Sequence, residues 1–552
     1  MNRSRIPNVL LVNPRFSPHA FWNYKETCAV VGARHVAAPL GLITVAALLP
    51  EEWNLRLVDR NAAELRKDDL QWADLVMIGG MLPQQRDAKR IIVRAHSYGK
   101  PVVVGGPDVT ASPAVYADAD FRVLGEAEEL MDDFVGAWRA GSERGTFVAR
   151  SFPDLTQSPL PRFDLLKLED YLHVGVQFSR GCPYNCEFCN VIELNGRVPR
   201  FKRTSQMLRE LDSLHQLGYR GHVDFVDDNL IGNRKVLRSF LAALEEWREA
   251  HGCPFEFSTE VSLNLADHDD LLAAMRRAGF FAVFVGIESP DTEILLSTQK
   301  AHNARRNIGE SLRKIYRAGM FVNAGFIVGF DAERASVARA MVDCIEEAAI
   351  PVCMVGLLYA LPNTQLARRL LSEGRLHADS DRVTTDCVAD QCTSGLNYTT
   401  LRPRQEILAD YRIILREIYH PRAFFGRVRR MALTLDLSRH GVRSPLRALG
   451  RHLRSFLQIS LQTGFRDRKA RPHYWRALGD CLLHNPRAIR TVVSLAALYL
   501  HIQPFAQFMD QLLSAQIESI RTADSHVPLM RVAAVEPAPP MSAVASGAFE
   551  RD

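Results

Sequence analysis

Between residues 173 and 375 one unit recurs six times: a short run rich in β-branched and aromatic side chains, then a polar or amphipathic stretch of helical length. The runs are His173–Phe178, His222–Val226, Phe255–Ser258, Ala282–Ile287, Val322–Val328 and Val352–Leu358. Strands alternating with helices in this rhythm pair in parallel and bury both faces, so the count predicts a partial (βα)6 barrel rather than a closed one of eight units. Chemistry in such barrels collects in the loops after the strand C-termini. The loop after the first strand reads Ser179-Arg180-Gly181-Cys182-Pro183-Tyr184-Asn185-Cys186-Glu187-Phe188-Cys189, a C-x3-C-x2-C spacing. An iron–sulfur cube is held by thiolates, usually four of them. Cys182, Cys186 and Cys189 supply three and leave one iron open to a small chelating molecule. A zinc loop is the alternative; its structural form needs a fourth protein ligand, which a distant His or Cys could provide.

The first 135 residues alternate strand and helix signals in the same way. Runs at Asn8–Val12, Asn54–Val58, Leu75–Ile78, Val102–Val104 and Phe121–Leu124 predict a doubly wound α/β sheet of about five strands. Ligands of such sheets lie beyond the carboxyl ends of the strands. Those ends carry Asn13-Pro14-Arg15, Asp59-Arg60-Asn61, Gly79-Gly80-Met81, Gly105-Gly106-Pro107-Asp108 and Gly125-Glu126. Glycine permits close backbone approach or positive φ there, either to admit a ligand or only to turn the chain tightly. No G-x-G-x-x-G follows the first strand, which argues against an ordinary dinucleotide site. The Pro-, Ser- and Asp-rich stretch from about Ser151 to Phe163 reads as a linker.

A chain of 552 residues is too long for one core, and from about Arg402 the pattern turns helical. The net charge of +5 is uneven. Pro421 to Arg476 holds fourteen Lys or Arg and two Asp, a net +12, which leaves the remainder at −7. Arg427, Arg429, Arg430, Arg443, Arg447, Arg451 and Arg454 recur beside apolar residues at roughly helical spacing. That pattern suits a basic amphipathic surface against an anionic membrane, or a solvated helical cap that balances the acidic remainder. No recognition motif or stacking pattern accompanies the charge, so no nucleic acid partner is expected. The apolar run Val492–Leu500 falls short of the ~20 residues that span a bilayer. No secretory signal is evident near the N-terminus, and ten scattered cysteines form no disulfide framework, so a reducing cytoplasm is the expected location. The tail from about Val527, with Pro537, Pro539 and Pro540, is expected to be disordered.

Taken strand by strand, the loops resemble those of cobalamin-binding-domain radical S-adenosylmethionine (SAM) enzymes, in which a B12-binding domain precedes the radical SAM barrel. The likeness covers about residues 7–375, and the helical remainder is similar to the extension of a bacterial subgroup that includes hopanoid methylases. After the cysteine loop, with Tyr184 and Phe188, come Val226-Asp227-Asp228-Asn229, Thr259-Glu260-Val261-Ser262, Gly286-Ile287-Glu288-Ser289-Pro290, Asn323-Ala324-Gly325 and Leu361-Pro362-Asn363-Thr364, each behind its own strand. The resemblance implies that Asp227, Asp228 and Asn229 meet the SAM ammonium, that Glu260 and Ser262 face its ribose and carboxylate, and that Asn323 and Gly325 pack near adenine. Glu288 and Ser289 match the signature after strand four. It implies a cobalamin cradle at Asn13, Pro14, Asp59, Asn61, Gly79, Gly80, Met81, Gly105, Gly106, Pro107, Gly125 and Glu126. Pro39-Leu40-Gly41-Leu42 matches the pattern as well, whereas Ala127 departs from the usual Gly-Glu-Gly-Glu. An Asp-x-His-x-x-Gly motif is absent and neither His19 nor His35 has that surrounding, so a cobalamin without a lower histidine ligand is expected.

The resemblance implies four parts: a Rossmann-like B12-binding domain at 1–150, a TIM-type radical SAM partial barrel at 164–375, a helical domain at 376–526 and the tail at 527–552. It implies a [4Fe-4S] cluster, SAM and cobalamin, and C-methylation of an unactivated carbon through a 5′-deoxyadenosyl radical and methylcobalamin. The substrate would be a small molecule, a lipid or secondary metabolite, and the electron donor a flavodoxin or ferredoxin. The alternative with the same cofactors is a rearrangement or cyclisation without methyl transfer. A methylthiotransferase would carry three further cysteines in the first domain, where only Cys28 occurs. A B12 carrier or sensor would not need the cysteine loop. Tyr359, after strand six, is a candidate near the cavity or a core tyrosine.

Overall fold

The computed structural model describes residues 5–383, 391–437 and 446–523. Its strands are β1 (Asn8–Asn13), β2 (His35–Ala37), β3 (Asn54–Asp59), β4 (Leu75–Gly79), β5 (Val102–Gly105), β6 (Phe121–Leu124), β7 (Gly145–Val148), β8 (Tyr171–Val176), β9 (Ser179–Arg180), β10 (Arg200–Phe201), β11 (Gly221–Phe225), β12 (Phe255–Val261), β13 (Phe280–Glu288), β14 (Phe321–Val328) and β15 (Val352–Leu357). The first sheet is fully parallel in the order β3-β1-β4-β5-β6-β7. It has six strands where five were expected. The sixth, Gly-Thr-Phe-Val at 145–148, alternates partly buried and exposed residues and forms an edge, so it lacks the apolar run that marks the inner strands.

The second sheet runs β15-β14-β13-β12-β11-β8-β2, also parallel throughout. The six expected strands are present, and a seventh comes from elsewhere. Residues 14–37 leave the first sheet, cross to the barrel and add β2 beside β8, with His35 opposite Tyr171. A three-residue strand carries no periodicity, which is why the sequence pattern missed it. Alternate residues of the barrel strands, such as Val174, Val223, Phe257 and Val285, are buried against the surrounding helices. Helix boundaries follow local chemistry. Asn233, Asp291 and Thr364 cap the helices Arg234–Ala250, Thr292–Ser297 and Gln365–Ser372 with their side-chain oxygens. Gly279, at φ +100°, ends the helix Asp269–Ala278 and launches β13. The expected linker is packed: Leu155 and Phe163 are buried.

Beyond residue 391 the described elements are helices. The helix Arg404–Ile418 packs on β14 and β15, and the helix Ile489–Ala523 packs on Lys25–Val31, Arg404–Ile418, Pro421–Thr434 and Arg471–His484. This corrects the reading of Val492–Leu500 as too short for a span. The run lies inside a 35-residue helix that is long and apolar enough to cross a membrane by length and composition. Its apolar window is, however, 56% buried inside the protein, against the neighbouring helices. The basic segment is corrected in part. Arg427 is fully buried and donates to the Ile350 and Ile418 carbonyls and to Glu346, while Arg429 pairs with Asp480 and Arg430 with Glu346. Arg427 and Arg430 tie the helical domain to the barrel helix Ala338–Glu347, and Arg429 joins two helices within the domain. Arg454 is exposed; Arg443, the side chains of Arg447 and Arg451, and the tail from 527 lie outside the described residues.

Candidate functional site

The cysteine loop follows directly on β8 and β9 and is fastened on every side. Asp227 accepts from the Phe178 amide at 3.0 Å and from the Ser179 amide and hydroxyl at 2.5 Å. Asp228 accepts from the Gly181 amide at 2.7 Å and from Asn195 at 3.0 Å. Farther along, the Glu187 amide donates to the Thr298 carbonyl, the Glu187 carboxylate meets Arg369 at 2.5 Å, and Asn185 is bracketed by Gln299 and Gln365. Cys182, Cys186 and Cys189 are all free thiols. Burial raises all three, Cys186 to about 11 and Cys189 to about 12, with Lys300 pulling the other way. A buried thiolate needs a cationic partner, so this donor set suits a bound metal centre that would deprotonate it. Among the described residues no group of three or more His, Cys, Asp or Glu is drawn together for a single ion. Three free thiols on one fastened loop fit an iron–sulfur cube held at three corners.

The expected SAM residues gather around this loop, with duties that differ from the expectation. Asp227 and Asp228 meet backbone amides, so their observed work is to hold the loop; burial still pushes Asp227 up to about 7. Asn229 exchanges hydrogen bonds with Ser262, Ser262 donates to Asn264, and Asn264 donates to the Tyr184 hydroxyl at 2.9 Å. Glu288 adopts φ +67° at the β13 bulge and meets Lys300 at 2.5 Å in a buried pair. Lys300 also lies over the Phe188 ring. Ser289 accepts from the Asp291 amide. Glu260 is the most exposed of these carboxylates, yet burial of the carboxyl group among protein atoms, followed by Asp224, Asp228, Glu288 and Asp227, pushes it up to about 8. Accessible to water but enclosed by protein, it faces the barrel lumen.

That lumen has two unlike walls. On β8, β11 and β12 stand His173, His222, Asp224, Ser258 and Glu260; His222 meets the Ser258 hydroxyl at 2.6 Å, and Ser258 donates to Asp224. Burial lowers both histidines, which keeps them neutral. On β13 and β14 aromatic rings continue the row, with His222 on Phe281 at 5.0 Å, Phe281 on Phe321 at 5.7 Å, and Trp22 from the crossing segment on Phe284 at 5.7 Å. Asn323, opposite Phe284, has a buried carbonyl oxygen without a partner, and a Cβ on Gly325 would touch Phe284 at 3.0 Å. Tyr359 is buried and donates to the Ser380 carbonyl at 2.6 Å, the core-tyrosine role.

The strand ends of the first sheet form a second mouth. Asp59 is buried and accepts from Asn13 at 3.0 Å, Asn61 at 2.8 Å and Tyr171 at 3.0 Å; Gln84 donates to Asn13 and to the Pro14 carbonyl. These amides fix the loops. Gly106 sits at φ +99°, where an added Cβ would stand 3.1 Å from the Gly80 carbonyl oxygen; on Gly125, at φ +114°, it would stand 2.5 Å from Ala149. Gly79, Gly80, Gly105 and Pro107 line the same turns, and Met81 leaves its side chain accessible. These glycines let the turns after β4, β5 and β6 pack closely on one another and on Ala149, which brings the expected cobalamin residues together at one strand-end mouth. His19 stacks on Phe508 and His35 is buried beside Phe16.

Glu126 takes a different partner from the one expected. Its carboxylate meets Arg180 and Arg200, both at 2.5 Å, and Glu128 meets Arg180 at 2.8 Å. The turn after β6 is thereby clasped to the cysteine loop. Sequence reasoning missed Arg180, Arg200, Lys300, His302 and Trp22, because their partners are far away in the chain. His302 stacks on Tyr184 with ring centroids 3.6 Å apart and is pushed down to about 3 by burial, Lys300 and Arg306.

Residues 176–343 match the radical SAM superfamily, and residues 364–515 match a domain of unknown function, DUF4070. An uncharacterized methyltransferase of Synechocystis is 39% identical over 92% of this chain and 94% of its own length. The hopanoid C-2 methylase of Rhodopseudomonas palustris is 36% identical over 76% of this chain and 78% of its own. The solved structure of OxsB, a cobalamin-dependent SAM radical enzyme with aqua-cobalamin and SAM bound, superposes with a TM-score of 0.59 at 14% identity, covering 95% of this chain and 82% of that one. That likeness is one of fold.

Proposed function

The chain belongs to the cobalamin-binding-domain radical SAM enzymes, and we propose that it methylates an unactivated carbon of a small molecule, with an apolar lipid such as a hopanoid as the first substrate to assay. One observation carries this reading: three free thiols, Cys186 buried and Cys182 and Cys189 half-buried, stand on a loop fastened at a barrel mouth, and Arg180 clasps that loop to the glycine-rich strand-end mouth of the first sheet. Methyltransferase relatives that cover 92% and 76% of the chain support methyl transfer over rearrangement. When bound, the cluster and SAM supply a primary carbon radical and cobalamin supplies a methyl carrier.

The protein holds and shields these groups. Cys182, Cys186 and Cys189 would ligate the cluster, and the Lys300 ammonium beside them offsets its negative charge. Glu260, protonated or not near neutral pH, presents oxygens to a ribose-like diol. Asn229, Ser262, Asn264 and Tyr184 form one hydrogen-bonded rail along the same mouth. Phe281, Phe284, Phe321 and Trp22 wall the lumen with apolar surface, which keeps water from a reactive radical. An external one-electron donor of the flavodoxin or ferredoxin kind supplies the reducing equivalent.

The test is turnover of anaerobically reconstituted enzyme with SAM and a hopanoid extract. Methylated product formed together with S-adenosylhomocysteine and 5′-deoxyadenosine supports the reading. 5′-Deoxyadenosine with an unmethylated, rearranged product overturns methyl transfer.

A further inference from the structure

The helix Leu446–Ile459 continues into a wider turn at Ser460–Arg466. Along it Leu453, Leu457, Leu461 and Phe465 recur every fourth residue and are 56%, 57%, 46% and 60% exposed. The opposite side of the same element, Ile459, Ser460, Thr463 and Gly464, is buried. The next helix, Arg471–His484, adds Leu482 and Leu483, exposed by 54% and 79%. The two helices share one surface, because Trp475 packs edge-on against Phe465 at 5.5 Å and donates to the Gly464 carbonyl. Isolated exposed leucines are ordinary; a periodic stripe of them marks a covered surface.

The unpaired charge around this stripe is of one sign, since Asp480, on the helix that carries Leu482 and Leu483, is paired with Arg429. Arg454, Arg466, Arg468, Lys469, Arg471 and Arg476 are exposed, and none of them makes an ion pair among the described residues, although Arg427, Arg429 and Arg430 on the preceding helix do. The one acidic residue inside the turn, Asp467, points inward and accepts from the Lys469 and Ala470 amides.

We propose that this face, the stripe Leu453–Phe465 with Leu482 and Leu483, is a docking surface for an anionic lipid bilayer. Leucine and aromatic side chains enter the boundary between headgroups and acyl chains while the arginines and the lysine meet phosphate. A second copy of the chain is the poorer occupant, since face-to-face pairing brings the same unpaired cations together. The surface is distinct from Arg427, Arg429 and Arg430, which are spent on internal ion pairs, and it does not depend on the methylation reading.

The full-length protein is sedimented with phosphatidylcholine vesicles and with vesicles containing phosphatidylglycerol. Binding to the anionic vesicles is expected to exceed binding to the neutral ones by about tenfold and to fall as salt rises. Leu457→Glu with Phe465→Glu should abolish it, and Leu457→Glu with Leu461→Glu, which keeps the Phe465–Trp475 contact, should do so without changing the thermal melt. Arg466→Glu with Arg468→Glu should remove the salt-sensitive part. Undiminished binding by the Leu457→Glu, Phe465→Glu protein overturns the proposal. So does a concentration-dependent dimer, abolished by the same pair of changes, in the absence of vesicle binding.

Discussion

The two strand-end mouths of this protein arise from the same parallel βα topology and are furnished in opposite ways. The barrel mouth is crowded with ionisable groups: three thiols, Asp227, Asp228, Glu260, Glu288 and Lys300. The mouth of the first sheet carries glycines, Asn13, Asn61 and Gln84, and its charges are internally engaged: Asp59 accepts from three residues, Asp108 from Tyr116 and Gln85, and Arg60 pairs with Asp87. Charge at the barrel mouth does two jobs, holding backbone in place and facing a charged cluster. At the first mouth, shape does the work, and a methyl group in the wrong place is the damaging change. Arg180 joins the two by reaching back to Glu126 and Glu128.

The largest effect should fall on the thiols. Cys182→Ala is expected to reduce methyl transfer to background and bound iron from about four atoms per chain to below one, read by iron analysis and turnover. Next comes the clasp. Arg180→Ala leaves the buried Glu128 carboxylate without its cation, while Glu126 keeps Arg200, at a cost of about 3–5 kcal/mol; a melt unchanged from wild type would show that the mouths need no such link. Glu128 tests the same point by pH: burial raises it, but Arg180 holds it below its usual range, so its contribution is present above the unfolded value and is lost as pH falls through the folded one. At the mouth of the first sheet, Gly106→Val forces a β-branched side chain into positive φ against the Gly80 backbone, a strain of about 1–3 kcal/mol. Cobalamin affinity should drop about tenfold or more while iron content stays unchanged, a split that SAM-side variants would not produce.

Glu260 sharpens the contrast from the charged side. Its folded value, pushed up to about 8, lies above its unfolded one, so the folded state holds the extra proton between them. Stability is therefore lost as pH rises through this window. Glu260→Gln should raise the melting temperature of cofactor-free protein more at pH 8.5 than at pH 5, and an equal effect at both would contradict the assignment. The smallest effect is expected at Tyr359. Phe there removes one hydrogen bond to Ser380, worth about 0.5–1.5 kcal/mol, and should leave turnover within twofold.

What was legible in the sequence was local. The cysteine spacing, the six barrel strands and the order of their loop motifs each sit within a few residues, and periodicity exposes them. Partnerships across the chain were not legible. β2 joins a strand 136 residues downstream, Lys300 reaches Glu288 over the bulge, and Glu126, read as a ligand of the cradle, turns to Arg180. Asp227 and Asp228 show the same limit: the motif singles out the residues, but only the fold shows that their oxygens accept from backbone amides. The long apolar helix was underestimated because polar residues such as His501, which meets Glu26 and the Phe21 carbonyl, interrupt it where it packs.

The central claim is a cluster held by Cys182, Cys186 and Cys189 with one iron open to SAM. The most direct measurement is the low-temperature electron paramagnetic resonance spectrum of the anaerobically reconstituted, reduced protein before and after SAM is added. A [4Fe-4S] signal whose shape shifts on addition of SAM is the predicted result; a signal that SAM leaves unchanged, or a protein that takes up no iron, would contradict the account.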